Sequence, residues 1–267
     1  MNGFHFPARW ILAGIALFFL LGEVDPNSYL AFDSYFKQRE KTIWQELNDA
    51  ERFLWIDQLP ETRRRQLYQE LWAGKVVLDT HRKQKAPGGL IHHLTGVVFV
   101  PNVTLKQVLA FLQDFDRMAS HFAPDLVASK LLGRNGDKFH IYQRYRKKKI
   151  VTVVIDTEHD VTFVTYGPTR AASFSYTTSV NEVEDAGTKH EKKLPAGEGS
   201  GYLRKMNNYW RYLERDGGVY VQGETLSLSR PIPLGLDWVI GGFINSVPRE
   251  SLQFTLARTR EHGGRMR

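Results

Sequence analysis

The feature that most constrains this chain is a change of period. From Leu90 to Arg230, apolar residues recur at every second position in run after run, as in strands with one buried face. The first run, Leu90–Val100, ends at Pro101. Ser129–Arg134 and Lys138–Arg146 flank Asn135-Gly136, a pair suited to a type I′ hairpin. Lys149–Thr157, Val161–Tyr166 and Ala172–Glu184 continue the series, and Asp185–Gly201 reads as a polar loop. Tyr202–Glu214 and Val219–Arg230 then flank a second hairpin signal, Asp216-Gly217-Gly218. Strands linked by tight turns are antiparallel neighbours, and a long antiparallel meander twists until it curls around whatever covers it.

Helical spacing brackets this run. Asp33 to about Gln58 has Phe36, Ile43, Trp44, Leu47, Phe53, Leu54 and Ile56 as its apolar side. Pro60 opens a second helix, Glu61–Ala73, which Gly74 can close. Its Leu67, Leu71 and Trp72 would face a partner surface, while Arg63, Arg64 and Arg65 form a solvated face. Arg82–Gly89 reads as a linker. After Pro101, Thr104 and Gln107 have the spacing of a capping box, Val103 and Val108 that of a hydrophobic staple. Leu105, Val108, Leu109, Leu112 and Phe115 make the stripe of the helix they announce. The chain closes on Leu236, Val239, Ile240, Phe243, Val247, Leu252 and Leu256, with Pro248 set to kink the helix or restart it. This order is α+β: a curved antiparallel sheet wrapped around a long C-terminal helix, with an N-terminal helical extension. One helix covering a curled sheet leaves room for an apolar ligand between them.

Three stretches carry a family resemblance: GGLIHHLTGVVFVP, the strand pair NNYWRYLERDGGVYVQGETLSLSR, and PIPLGLDWVIGGFINSVPRESLQFTLARTR. From about Pro87 to Arg260 the chain resembles the START-like (SRPBCC, helix-grip) superfamily, which includes lipid-transfer domains and polyketide cyclase-like proteins. The resemblance implies a hydrophobic-ligand cavity over residues 87–262; outside it, the sequence pattern gives a helical extension and linker over 32–86 and a signal peptide or signal anchor over 1–31. It implies no cofactor and carries no universal catalytic motif.

Chemistry is sparse. The absence of cysteine removes disulfides, thiolate metal sites and cysteine nucleophiles. Gly197–Gly201 places its serine one position late for a nucleophile elbow. His92 and His93 are neighbours on a strand, point to opposite faces and cannot share a metal. Arg144–Lys149 is the strongest basic cluster; at a strand end it guards an edge or meets anionic head groups. Tyr202, Arg204, Met206, Asn208, Trp210 and Tyr212 share one strand face, as do Tyr220, Gln222 and Glu224 on the next strand, and His140, Tyr142 and Arg144 on an earlier one. If those faces are concave, Asn208, Glu224 and Arg144 orient a ligand; if convex, they are cross-strand pairs in water. The candidate ligand-binding set is Tyr142, Arg144, Asn208, Trp210, Tyr212, Glu224, Trp238 and Phe243, with no catalytic or metal-binding residue assigned.

Arg9 followed by the apolar run Trp10–Gly22 has the pattern of a secretory signal or signal anchor, too short for the roughly 30 Å hydrocarbon core. The formal charge of +7 favours anionic partners such as a phospholipid surface, while scattered basic residues and an export signal argue against nucleic acid. The leading expectation is an exported protein that binds or transfers a lipid, quinone or polyketide-like molecule. An aromatase/cyclase-type enzyme using cavity Tyr, Arg and Glu, or a membrane-anchored interaction module, are the alternatives.

Overall fold

A computed structural model describes residues 25–148, 152–231 and 242–263, with side chains in the last segment from Ser246. The run Trp10–Gly22 and Trp238 lie outside the described residues, and so does the Phe243 side chain. Helix α1 spans Pro26–Asn48, α2 Glu61–Trp72, α3 Leu105–Leu112, α4 Met118–Phe122 and α5 Gly242–Gly263. Strands β1 (Val77–Leu78), β2 (Arg82–Ala86) and β3 (Gly89–Pro101) precede α3. Strands β4 (Leu126–Asn135), β5 (Lys138–Lys148), β6 (Thr152–Thr165), β7 (Arg170–Glu184), β8 (Lys192–Lys193), β9 (Lys205–Arg215) and β10 (Gly218–Ser229) follow α4.

The sheet runs β1-β3-β10-β9-β7-β6-β5-β4, antiparallel at every pairing, with β2 also on β3 and β8 on β7. Helix α5 lies over β3 and β10 on the inner face, and this is the helix-grip arrangement. The expected capping box forms: Thr104 accepts from the Gln107 N–H, and the Gln107 side chain accepts from the Thr104 N–H. The second hairpin loop is Asp216-Gly217, both with positive φ (58° and 74°), as a type I′ turn requires. The first loop is displaced by one residue from the expected pair. Asn135 and Lys138 are partners, so the loop is Gly136-Asp137, and only Gly136 has a positive φ (60°).

Two segments differ more. The expected linker is strand β2, paired with β3 from Arg82↔His93 to Ala86↔Gly89. Its charged residues point to water at the sheet's edge, which made a strand look like a tether. The expected first helix stops at Asn48 and continues as two 3-10 turns, Ala50–Arg52 and Trp55–Gln58. These turns and α1 and α2 cover the outer face of the sheet.

Both faces of the central strands are therefore buried. On β3, Ile91, Val97 and Phe99 join the outer cluster, where Phe32, Ile43, Leu47, Phe53, Leu54, Ile56, Leu67 and Leu71 meet them. Leu94, Val98 and Val100 of the same strand face inward against Leu252 and Leu256 of α5. The apolar side of residues 32–72 is thus spent within the chain. Trp72 keeps its edge in water, but its indole N–H donates to the Tyr220 hydroxyl at 2.7 Å.

Candidate ligand cavity

Helix α5 is seated by two glycines. Gly96 and Gly223 are direct partners across β3 and β10. A Cβ on Gly96 would lie 2.7 Å from Leu256 Cδ1, and one on Gly223 would lie 3.0 Å from Leu252 Cδ1 and 2.7 Å from the Trp210 ring. A side chain at either place would press on the leucine ends of α5, and also on Leu78 beside Gly96 and on Trp210 beside Gly223. Helix α5 rests on β3 and β10, while Leu105, Val108 and Phe115 pack toward the inner face of β5 and β6. Between them lies a partly open cavity of about 280 Å³, lined on its helical side by Leu112 of α3, Phe122 of α4 and Leu252 of α5. Small-molecule sites span roughly 300–1,000 Å³, so this one suits a modest ligand.

The lining is largely apolar. Phe115, Phe122, Ile141, Val161, Phe163 and Leu252 form much of the wall. The polar side chains on it mostly satisfy one another. Thr225 Oγ1 donates to Asn208 Oδ1 at 2.8 Å, the Ser173 and Tyr212 hydroxyls share a bond of 2.9 Å, and the Tyr145 hydroxyl donates to Gln143 Oε1 at 2.6 Å. His92 is engaged at both ring nitrogens, with His81 Nε2 and Ser229 Oγ each at 3.0 Å. Burial, reinforced by His81 and Lys83, pushes its pKa down to about 3, so the ring is neutral at ordinary pH. Lys147 and Asp125, also on the wall, are paired with each other.

Of the residues singled out from the sequence, Asn208, Trp210 and Tyr212 line this cavity. Glu224, Tyr142 and Arg144 do not. Their strands present the opposite residues inward: Thr225 and Ser227 on β10, and Ile141, Gln143 and Tyr145 on β5. Tyr142 and Arg144 meet Asp156 on the outer face, where Arg144 donates through Nε (2.6 Å) and Nη2 (2.9 Å) and also reaches Glu191. Glu224 and Arg144 accordingly cannot act on a ligand held inside. His92 faces the cavity and His93 the outer layer, as neighbours on one strand must.

The outer face holds a polar cluster that no sequence motif announced. Glu224, fully buried, accepts from His93 Nε2 (2.8 Å) and from Arg39 Nε (2.5 Å) and Nη2 (2.9 Å). Arg39 Nη1 and Nη2 also donate to Glu46, each at 3.0 Å. Arg211 donates to Glu46 Oε2 (2.5 Å) and to the Phe53 carbonyl (2.8 Å), and the Tyr35 hydroxyl bonds His93 Nδ1 (2.8 Å). Burial alone would raise the Glu224 pKa, but the hydrogen bonds from His93 and Arg39 outweigh it and hold the carboxyl well below its usual range. The cluster ties α1 to β3, β9 and β10. Arg39 and Glu46 lie seven residues apart, two helical turns, so one face of α1 presents both; that spacing was the available signal.

No family model and no curated protein matches this chain. Among solved structures it is similar to a STAR-related lipid transfer protein from Xanthomonas axonopodis, with 19% identity, 69% of this chain and 99% of that chain covered, and a TM-score of 0.43. The Zhui aromatase/cyclase from Streptomyces sp. R1128 gives 12% identity, coverage of 66% and 94%, and a TM-score of 0.42. A START superfamily protein from Mycobacterium smegmatis gives 11%, 64% and 98%, and 0.39. By its own strand order, and by the helix held against the inner face, this chain has the helix-grip α+β arrangement.

Proposed function

We propose that this protein binds a small, largely apolar molecule in the cavity between the sheet and α5. The observation that carries this reading is an aromatic-walled space of about 280 Å³ whose polar side chains are mostly paired among themselves. Such a wall asks little hydrogen bonding of its occupant, and removing apolar surface from water supplies the affinity. The run Trp10–Gly22 behind Arg9 supports delivery outside the cytoplasm, with the +7 charge favouring an anionic membrane surface as the place of loading.

The test is binding of a neutral apolar fluorophore, N-phenyl-1-naphthylamine, followed by its own emission and by quenching of Trp210 in the cavity wall. Ser173 faces inward beside Trp210 and Tyr212, so Ser173→Phe should fill the cavity and weaken probe binding at least about tenfold while circular dichroism is unchanged. Equal binding by the wild type and the filled variant would overturn the reading.

A further inference from the structure

The charge inventory of the wall narrows the ligand. Among the described lining residues, the only permanently charged side chains are Asp125 and Lys147, and each neutralises the other. His92 adds no charge, because burial keeps it neutral and both its ring nitrogens are engaged. A carboxylate, phosphate or ammonium brought inside would lose its hydration and find no free counter-ion among them, a cost far above that of burying a neutral oxygen.

An amide donor remains aimed at the space. Asn208 is only partly buried, and Thr225 Oγ1 donates to its Oδ1; with the amide in that orientation Nδ2 is left to the cavity. Of the neighbouring hydroxyls, Ser173 and Tyr212 share one hydrogen bond, and Tyr145 donates to Gln143 Oε1. Register adds direction. Asn208 pairs with Thr225, and Ser227 lies opposite His92, so these polar residues gather at one end of the inner face. Tyr212 pairs with Val221 toward the other end, where Phe163 stacks on it at 6.4 Å.

We infer that the ligand is uncharged, with an apolar body and a single carbonyl or hydroxyl oxygen that accepts from the Asn208 amide. This rests on the cavity being a ligand site as proposed above. The aromatic end receives the body and the Asn208 end the head.

The experiment is displacement of N-phenyl-1-naphthylamine by four ligands of equal chain length: 2-decanone, 1-decanol, decanoate and decylammonium. The ketone and the alcohol should displace it at concentrations at least about tenfold lower than either ion. Asn208→Leu should weaken the ketone about fivefold relative to the probe's own affinity measured in the same variant. Decanoate or decylammonium binding as well as the ketone would overturn the inference while leaving the cavity a binding site. A ketone affinity indifferent to Asn208→Leu would overturn the assigned donor. Failure of the probe itself to bind would remove the proposed function and the inference together.

Discussion

At the scale of residues, Glu224 shows how much one buried carboxylate can hold. It is fully buried, and its negative charge is tolerated because His93 and two nitrogens of Arg39 donate to it. Glu224→Gln would leave Arg39 and Arg211 sharing Glu46 alone, and removing one partner of a buried pair costs about 3 kcal/mol. The urea midpoint at pH 7 should fall accordingly, with the slope of the transition unchanged. The pH dependence has a definite sign. A carboxyl whose folded pKa is depressed binds its proton more readily when unfolded, so its stabilisation is complete above the unfolded value, about 4.3, and drains away as pH falls toward the folded one. The gap between wild type and variant should therefore be widest at pH 6–7 and narrow steadily below about pH 5; a gap independent of pH would contradict the ion-pair account. The position of Glu224 was within reach of the sequence. A two-residue loop at Asp216-Gly217 makes Arg215 and Gly218 partners, so even positions on β9 share a face with odd positions on β10. Asn208 and Glu224 could not then converge on one ligand. Arg39 and Glu46 gave a weaker sign, because charges on an amphipathic helix ordinarily face water.

At the scale of elements, the legible parts were those with local chemistry. The Thr104–Gln107 capping box and the Asp216-Gly217 turn are decided by residues a few positions apart, and both form. Strand β2 was missed because its reason is not local. RKQKA forms a strand where the free edge of β3 offers unpaired backbone groups, while its side chains carry none of a strand's usual apolar alternation. The glycine pair under α5 is another long-range requirement, set by a helix more than twenty residues beyond Gly223 and far from Gly96 in the chain. Gly96→Val should destabilise by about 1–3 kcal/mol through overpacking against Leu78 and Leu256, read as a lower thermal midpoint. Thr104→Ala, which removes only a cap, should cost about 1 kcal/mol. The two substitutions also differ in their effect on binding: a side chain at Gly96 presses on α5, whose residues line the cavity, and should change probe affinity, whereas losing the cap should not.

At the scale of the whole molecule, the curved sheet and its gripped helix followed from period and turns, while the outer layer did not. An amphipathic segment states that it must cover something apolar, but not whether that surface belongs to its own chain. Here the sheet answers it: Val97, Phe99, Tyr220 and Leu226 present an apolar outer face that would otherwise stand in water. The sheet is consequently a shared wall, with the α1–α2 layer on one side and the cavity on the other. Two layers built on the same strands should unfold together, so emission from Trp44, stacked on Phe174 at 4.6 Å in the outer layer, and from Trp210 in the cavity wall should report one transition in single-tryptophan variants. The layers should nonetheless separate in function. Ile43 is buried in the outer cluster and touches no part of the cavity lining, so Ile43→Ala should lower stability by about 2–5 kcal/mol. Probe affinity, measured where the variant is still folded, should stay within about twofold of the wild type, because the inner face keeps its side chains. A large loss of affinity in Ile43→Ala would mean that the outer helices set the shape of the inner face, and that the sheet transmits strain between its two sides.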